Sequence, residues 1–272
     1  MSDPLELFDH AVLGRLGVGA ASVIYKVREP RGRRIHALKH VVKHAEKDQR
    51  FLDQVEAEHR IGAPFRHPSI RRIERIFRKR RRFRISEMGL LMEHVEAPGL
   101  DSLPPPEPLE AVRLFIRIAE GLQAMHDRGI VHADMKPTNV LVGQGLVKII
   151  DLGQACEIGT RKTRIQGTPG YIAPEQAHRR RITERTDVYN FGATMYWMLT
   201  GQEVPTAGPG SRGQATVPPL ANRINPDIPI ELAEVVNLCL EPNAHGRWKN
   251  MHAVVRQLDK ISEHHGAKTR SA

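Results

Sequence analysis

Cysteine is nearly absent: Cys156 and Cys239 are the two in a chain of 272 residues. That excludes the disulfide framework of a small secreted domain, and neither stands in a Cys-x-x-Cys pair suited to zinc. A reducing, cytoplasmic setting is the corresponding expectation. Long apolar runs are missing as well. The longest apolar-leaning stretch, Phe191 to Leu199, falls far short of the ~20 residues that span a bilayer. The opening residues carry Asp3, Glu6 and Asp9 instead of the basic and apolar stretches of a signal peptide. No membrane segment is therefore expected. Aromatic residues make up only 5%, so aliphatic side chains must fill most of the core. With 40% hydrophobic and 26% charged residues, the chain is neither collagen-like nor wholly disordered. Its length suits one large domain or two small lobes.

Charge is placed unevenly. The formal net charge is +10, and residues 1–95 hold 21 basic side chains against 12 acidic ones. Nine of the basic ones fall within residues 71–84. Such a run offers a surface to an acidic partner, a nucleic acid or an anionic lipid, and it is equally the solvated face of a hairpin. Phe77 and Phe83 are its only aromatics and no nucleic-acid motif encloses it, so specific nucleic-acid binding is not expected.

Strand patterns occupy Ala11–Leu16, Ser22–Arg28, Arg34–Val42, Arg72–Phe77 and Leu90–His94. One helical pattern interrupts them, Ala45 to Ala63, with Phe51, Val55, Glu58 and Gly62 on one stripe. A carboxylate on a buried stripe needs a cation or a proton. Residues 96–108, rich in proline, read as a connector, after which helices dominate. Leu109 to Met125 recur at helical spacing and end near Arg128-Gly129. Asp187–Leu199 and Ile230–Leu240 read as buried helices, Gly201 to Asn225 as a long loop, and residues 261–272 as a flexible tail.

Gly17-Val18-Gly19, followed by Ser22 and Ile24, lies between two strand patterns. Glycines let a backbone approach a phosphate closely, although a Gly-x-Gly in a hairpin is more often just a turn. The third strand ends in Ala37-Leu38-Lys39. Lys39 and Glu58 each need a counter-ion if buried, and together they form a pair that holds Lys39 on a phosphate. Further on, two apolar strands flank Gly143-Gln144-Gly145. With the turn at 143–145, Val142 pairs with Leu146 and Asn139 with Ile149, and the hairpin brings Asn139 and Asp151 together at its open end. An amide oxygen and a carboxylate suit Mg²⁺ completed by water and phosphate oxygens. Asp134 can face the same space as a proton acceptor, with Lys136 neutralising charge on a moving phosphoryl group.

With these residues in this order, followed by Asp151-Leu152-Gly153 and Ala173-Pro174-Glu175, the chain resembles the serine/threonine protein kinases over residues 10–260. The resemblance implies an α+β, two-lobed protein-kinase-like fold: a small antiparallel-sheet N-lobe with one helix over residues 10–95, and a larger, mainly helical C-lobe over 96–260. It implies a phosphotransferase that uses ATP and Mg²⁺, with Mn²⁺ as an alternative ion, on Ser and Thr hydroxyls of protein substrates, itself included. Asp134 would be the catalytic base, assisted by Lys136, Lys39 and Glu58, with Asn139 and Asp151 on the metal. Leu16, Gly17, Gly19, Ser22, Ile24, Ala37, Met92 and Leu141 would enclose the nucleotide, and the backbone of Glu93 and Val95 would hydrogen-bond adenine. Thr168 and Gly170 would seat the acceptor peptide. Asp187 resembles the carboxylate that braces the catalytic loop, and Glu175 the partner of Arg247.

Departures from the family pattern matter too. Ser22 replaces a loop glycine, Leu152 a phenylalanine, and Ala133 the arginine that pairs with an activation-loop phosphate, so phosphorylation of Thr160 or Thr163 is not expected to be required. Gly62 stands where the family places a bulky apolar side chain. Either a partner fills the resulting gap or Ile61 inserts instead. The rival readings are a pseudokinase scaffold, a small-molecule phosphotransferase and a nucleic-acid-binding module.

Overall fold

The computed structural model describes residues 3–19, 21–143, 145–205 and 217–270, with residues 266–270 described by their backbone alone. It divides into two compact units: residues 1–97 with 151–153, and residues 98–150 with 154–272.

The first unit is built on an antiparallel sheet. Its strands are β1 (Glu6–Leu7), β2 (His10–Val18), β3 (Val23–Arg28), β4 (Ile35–Val42), β5 (Ile73–Arg81) and β6 (Arg84–Glu93), in the order β1-β2-β3-β4-β6-β5. Between β4 and β5 lies one helix, α1 (Gln49–Gly62). Its buried stripe is Leu52, Val55, Glu58 and Gly62. Phe51, expected on that stripe, is only partly buried and lies against the Arg50 guanidinium, so Leu52 takes its place. Cross-strand partners share a face of a sheet. On one face Tyr25, Val27, Leu38 and Leu91 bury with Leu7, and Phe8 stacks on Phe77 at 5.3 Å between ring centres. The two-residue strand β1 and Phe8 thus close a small core that no strand pattern announced.

The second unit is mainly helical. Its elements are α2 (Pro108–His126), β7 (Ile130–Val131), β8 (Val140–Gly143), β9 (Leu146–Ile149), β10 (Cys156–Glu157), α3 (Pro174–Ala177), α4 (Glu184–Thr200), α5 (Ala221–Ile224), α6 (Ile230–Cys239) and α7 (Met251–Arg270). Pro108 opens α2, where a missing N–H costs nothing. Gly201, at φ +71°, ends α4 in the left-handed conformation. The core gathers Val112, Phe115, Ala119 and Leu122 of α2 with Phe191 and Met195 of α4, Leu232 and Val236 of α6 and Val254 and Leu258 of α7. Phe115 and Phe191 meet edge to face at 6.1 Å, a preferred aromatic geometry.

Three expectations need correction. The β8–β9 hairpin pairs Val142 with Val147, Gly143 with Leu146 and Val140 with Ile149, one residue out of the expected register. Gly143 is still strand, and Gly145 has φ +75°. The stretch 201–225 contains the short helix α5, while residues 206–216 of it lie outside the described residues. Finally, α7 continues through Arg270, and Ile261 is part of the core. The backbone of 261–270 is thus helical where a frayed tail was expected.

Candidate functional site

In the first unit, strand pairing lines up the residues named from the sequence. Gly17 is opposite Ile24, Ile24 opposite Lys39, and Ala37 opposite Met92. Ile24, Ala37, Lys39 and Met92 therefore share one face of the sheet. Ala37 and Met92 are buried, Ile24 and Ser22 are partly open, and Leu16 is half exposed. Gly19 N–H donates to the Ser22 carbonyl at 2.8 Å, closing the turn between β2 and β3. The Glu93 N–H donates to the Arg72 carbonyl at 2.9 Å, so a ligand at Glu93 must use the carbonyl. Val95 follows β6 and is partly buried.

On the same face sits an ion cluster. Lys39 Nζ donates to Glu58 Oε2 at 2.8 Å and to Asp151 Oδ1 at 3.2 Å, with Glu58 only 1% exposed. Burial alone would lower the Lys39 pKa, but the charges of Glu58 and Asp151 outweigh it and hold the ammonium above the usual lysine range. Burial likewise opposes ionisation of Asp151; Lys39, the Gly153 N–H and the charge of Arg71 overcome it and hold the carboxyl down to about 2. Asp151 also has φ +61°, uncommon for a residue with a Cβ. Gln54, one helical turn before Glu58, donates to the Gly153 carbonyl at 2.9 Å. Sequence reasoning missed it, although the i, i+4 spacing was available.

Neither expectation about Gly62 holds. A Cβ on Gly62 would overlap Ile73 Cδ1 and come within 3.0 Å of Leu152 Cδ1. Ile73 and Leu152 already fill the space, and Ile61 is only partly buried.

In the second unit, Asp134, Lys136 and Thr168 form a closed hydrogen-bonded group. Thr168 Oγ1 donates to Asp134 Oδ1 at 3.1 Å and accepts from Lys136 Nζ at 2.7 Å, while Lys136 Nζ lies 3.2 Å from Asp134 Oδ2. Asn139 Nδ2 donates to the Asp134 carbonyl at 2.8 Å, which orients the amide and leaves its oxygen as a ligand atom. Ile150 N–H donates to the Asn139 carbonyl at 2.9 Å. Leu141 pairs with Lys148 and bridges to Gly99. Gly170, at φ +82°, packs against the Glu203 side chain.

This loop is braced from below. Asp187, wholly buried, accepts from the backbone N–H groups of His132 and Ala133 at 2.8 Å each and lies 2.8 Å from His126 Nε2. Glu175 and Arg247 form a buried two-pronged pair at 2.8 and 2.9 Å, and Thr186 Oγ1 also donates to Glu175. Gln176 was not singled out from the sequence, yet its Nε2 donates to the Ala133 carbonyl at 2.8 Å while its Oε1 accepts from Ala173 and Asn190. A buried amide directly after Pro174-Glu175 was the available signal.

Asn139 of the second unit offers an amide oxygen and Asp151 of the first a carboxylate, oxygen donors of the kind that suit a hard divalent ion. Among the described residues no cluster of three or more His, Cys, Asp or Glu side chains is arranged to hold a metal.

Residues 10–257 match the family described as Protein kinase domain. The chain is 33% identical over 261 residues to the serine/threonine-protein kinase AfsK of Streptomyces coelicolor, covering 90% of this chain and 31% of that protein. It is 28% identical over 296 residues to the serine/threonine-protein kinase PknB of Mycolicibacterium smegmatis, covering 98% and 45%. The crystal structure of the Mycobacterium tuberculosis PknI kinase domain shares the fold, with a TM-score of 0.73 at 20% identity over 96% of this chain and 98% of that one. This chain thus spans less than half the length of these two curated relatives.

Proposed function

Because this chain belongs to the protein kinase domain family, we propose that it transfers the γ-phosphoryl group of MgATP to Ser and Thr hydroxyls of protein substrates, itself included. The observation that carries this reading is the Asp134–Lys136–Thr168 group, in which a carboxylate, a cation and a hydroxyl are held within hydrogen-bonding distance. Asp134 accepts the proton of the acceptor hydroxyl. Lys136 balances the charge that develops on the transferred group. Lys39, kept protonated by Glu58 and Asp151, orients the α and β phosphates, and the face bearing Ile24, Ala37 and Met92 receives the adenine. A divalent ion, Mg²⁺ or Mn²⁺, would be held by Asn139 and Asp151 and would shield the phosphate charge. Positioning and electrostatics supply most of the rate in such a transfer. The catalytic domain is proposed to run over residues 10–260, with lobes at 10–95 and 96–260.

The setting is proposed to be cytoplasmic, supported by two free cysteines. No helix among the described residues is long and apolar enough to cross a membrane. An acidic partner is proposed for the basic hairpin, on a narrower surface than its sequence implies. Arg71 is buried, and Arg72, Arg78, Lys79 and Arg84 pair with Glu74, Glu56, Glu87 and Glu46. Arg80, Arg81 and Arg82 stay exposed at the turn beside Phe83, which is 98% exposed.

Incubation of the purified chain with γ-labelled MgATP and a general protein substrate, followed by phosphoamino-acid analysis, tests the reading. Label on Ser or Thr that requires divalent metal supports it. Magnesium-dependent nucleotide binding without label would favour the scaffold reading.

A further inference from the structure

Two basic segments border the Thr168–Gly170 stretch in the second unit: Arg161, Lys162 and Arg164 on one side, and Arg179, Arg180 and Arg181 on the other. The backbone brings them together. Arg161 and Arg181 oppose each other in an antiparallel bridge, secured by Gly159 N–H to the Ile182 carbonyl at 2.7 Å and Ile182 N–H to the Thr160 carbonyl at 2.8 Å. Like charges placed directly opposite are destabilising, so this pairing works against the fold.

The turn that displays the second segment is fixed as well. Arg179 has φ +53°, and the N–H groups of Arg179 and Arg180 donate to the Gln176 and Glu175 carbonyls at 3.0 and 2.8 Å. All five arginines are exposed. Lys162 Nζ donates to the Gln154 carbonyl at 2.8 Å, and among the described residues none of the six cations is ion-paired with a carboxylate. The hairpin at 71–84 differs, since four of its nine cations pair with neighbouring acids. Glu157 and Glu184 are the exposed or partly exposed acids of residues 157–184, and the cations outnumber them.

We propose that this arginine cluster selects protein substrates with Asp or Glu residues flanking the acceptor Ser or Thr. The proposal rests on the kinase reading above and names the substrate class for that site. Guanidinium forks match carboxylates two-pronged, and exposed charges complementary to a partner act on encounter and specificity. Seating an acidic peptide there relieves the Arg161–Arg181 repulsion while Thr168 and Asp134 receive the acceptor hydroxyl.

The test uses three synthetic peptides that share one acceptor and differ in flanks of Glu, Ala or Lys. The expected kcat/KM for the Glu-flanked peptide exceeds that for the Ala-flanked one by about tenfold, mostly through KM, and the ratio shrinks as salt is raised. In the Arg179→Ser, Arg180→Ser, Arg181→Ser triple variant the ratio falls towards one, with thermal unfolding unchanged or slightly raised, because these side chains are exposed and the Arg161–Arg181 repulsion is removed. A ratio at or below one in the wild type overturns the proposal while leaving the kinase reading intact. So does a preference that appears only after phosphatase treatment or in the Thr160→Ala, Thr163→Ala variant, since the cluster would then serve the chain's own phosphate. Binding of a fluorescent Glu-flanked peptide, read by anisotropy, separates the two readings if no peptide turns over. The absence of turnover then counts against the kinase reading, while tighter binding than the Ala-flanked peptide supports recognition of acidic flanks by the cluster and equal binding overturns it.

Discussion

Asp187 Oδ1 accepts the backbone N–H of Ala133 at 2.8 Å, and Ala133 sits at φ +61°, directly before Asp134. A residue with a Cβ rarely adopts that conformation without support. Asp187 supplies the support with both oxygens, the second taking the His132 N–H at 2.8 Å. In Asp187→Asn one of those oxygens becomes an NH₂ facing an N–H donor. The expected result is a loss of about 2–4 kcal/mol in urea unfolding, from charge-assisted bonds broken in a buried site, and a fall of about 10²-fold in kcat as Asp134 loses its position. A variant with unchanged kcat would show that the brace does not govern Asp134.

The Glu175–Arg247 pair joins the helix that follows the acceptor segment to the loop before α7. Arg247 is only 4% exposed and also donates to the Glu241 and Arg185 carbonyls at 2.7 and 2.8 Å. Removing one partner leaves the other charge buried, so Glu175→Ala should cost about 3–5 kcal/mol. The Glu175→Ala, Arg247→Met double variant should cost less than the sum of the two singles. Additive losses would mean that the two side chains act independently.

Gly62 is packed, not vacant. Gly62→Ala should gain up to about 1 kcal/mol in helix propensity and lose about 1–3 kcal/mol by overpacking against Ile73. The net destabilisation should shrink when Ile73→Val is added. A double-mutant cycle on urea unfolding reads the coupling, and a cycle with no coupling would place the crowding elsewhere.

Ala133 stands in a buried cluster with Val131, Cys156 and Ile182, and β10 pairs with β7 through Cys156 and Val131. An apolar contact and backbone hydrogen bonds thus anchor the start of the activation segment, where the family usually places an arginine. The Thr160→Ala, Thr163→Ala variant should keep its kcat/KM within about threefold, the loss of the Thr160 Oγ1 bond to Glu157 being worth about 1 kcal/mol at most. A loss of two orders of magnitude in peptide phosphorylation would restore a role for a phosphate there.

Local patterns carried most of the fold because each strand and helix near Lys39 and Asp134 has its own apolar period, even though the contacts Lys39–Asp151 and Asp134–Thr168 are long-range in sequence. The apolar stripe that contains Glu58 identified a buried carboxylate, and Lys39 Nζ lies 2.8 Å from it. The helices α2, α4 and α6 followed from periodicity. What escaped depends on long-range packing or single-residue geometry. Whether Gly143 belongs to the turn or to the strand shifts the whole hairpin register, and glycine alone gives no sign of which. Phe51 and Leu52 are adjacent apolar residues, so the stripe could be drawn through either. The filling of the Gly62 space by Ile73 and Leu152 joins residues that no period connects. Strand β1 has two residues and Phe8 at φ 50° beside it, too little for an alternation to register.

The most direct test of the central claim is the steady-state kinetics of Asp134→Asn beside the wild type, with MgATP varied at fixed protein substrate. The account predicts a kcat lower by about 10²–10⁴-fold, because general-base assistance is lost at the chemical step. KM for MgATP should stay within about threefold, since Asp134 is assigned to the acceptor hydroxyl and not to the nucleotide. A variant that turns over at the wild-type rate, or one whose nucleotide affinity falls as far as its turnover, would contradict the role given to Asp134.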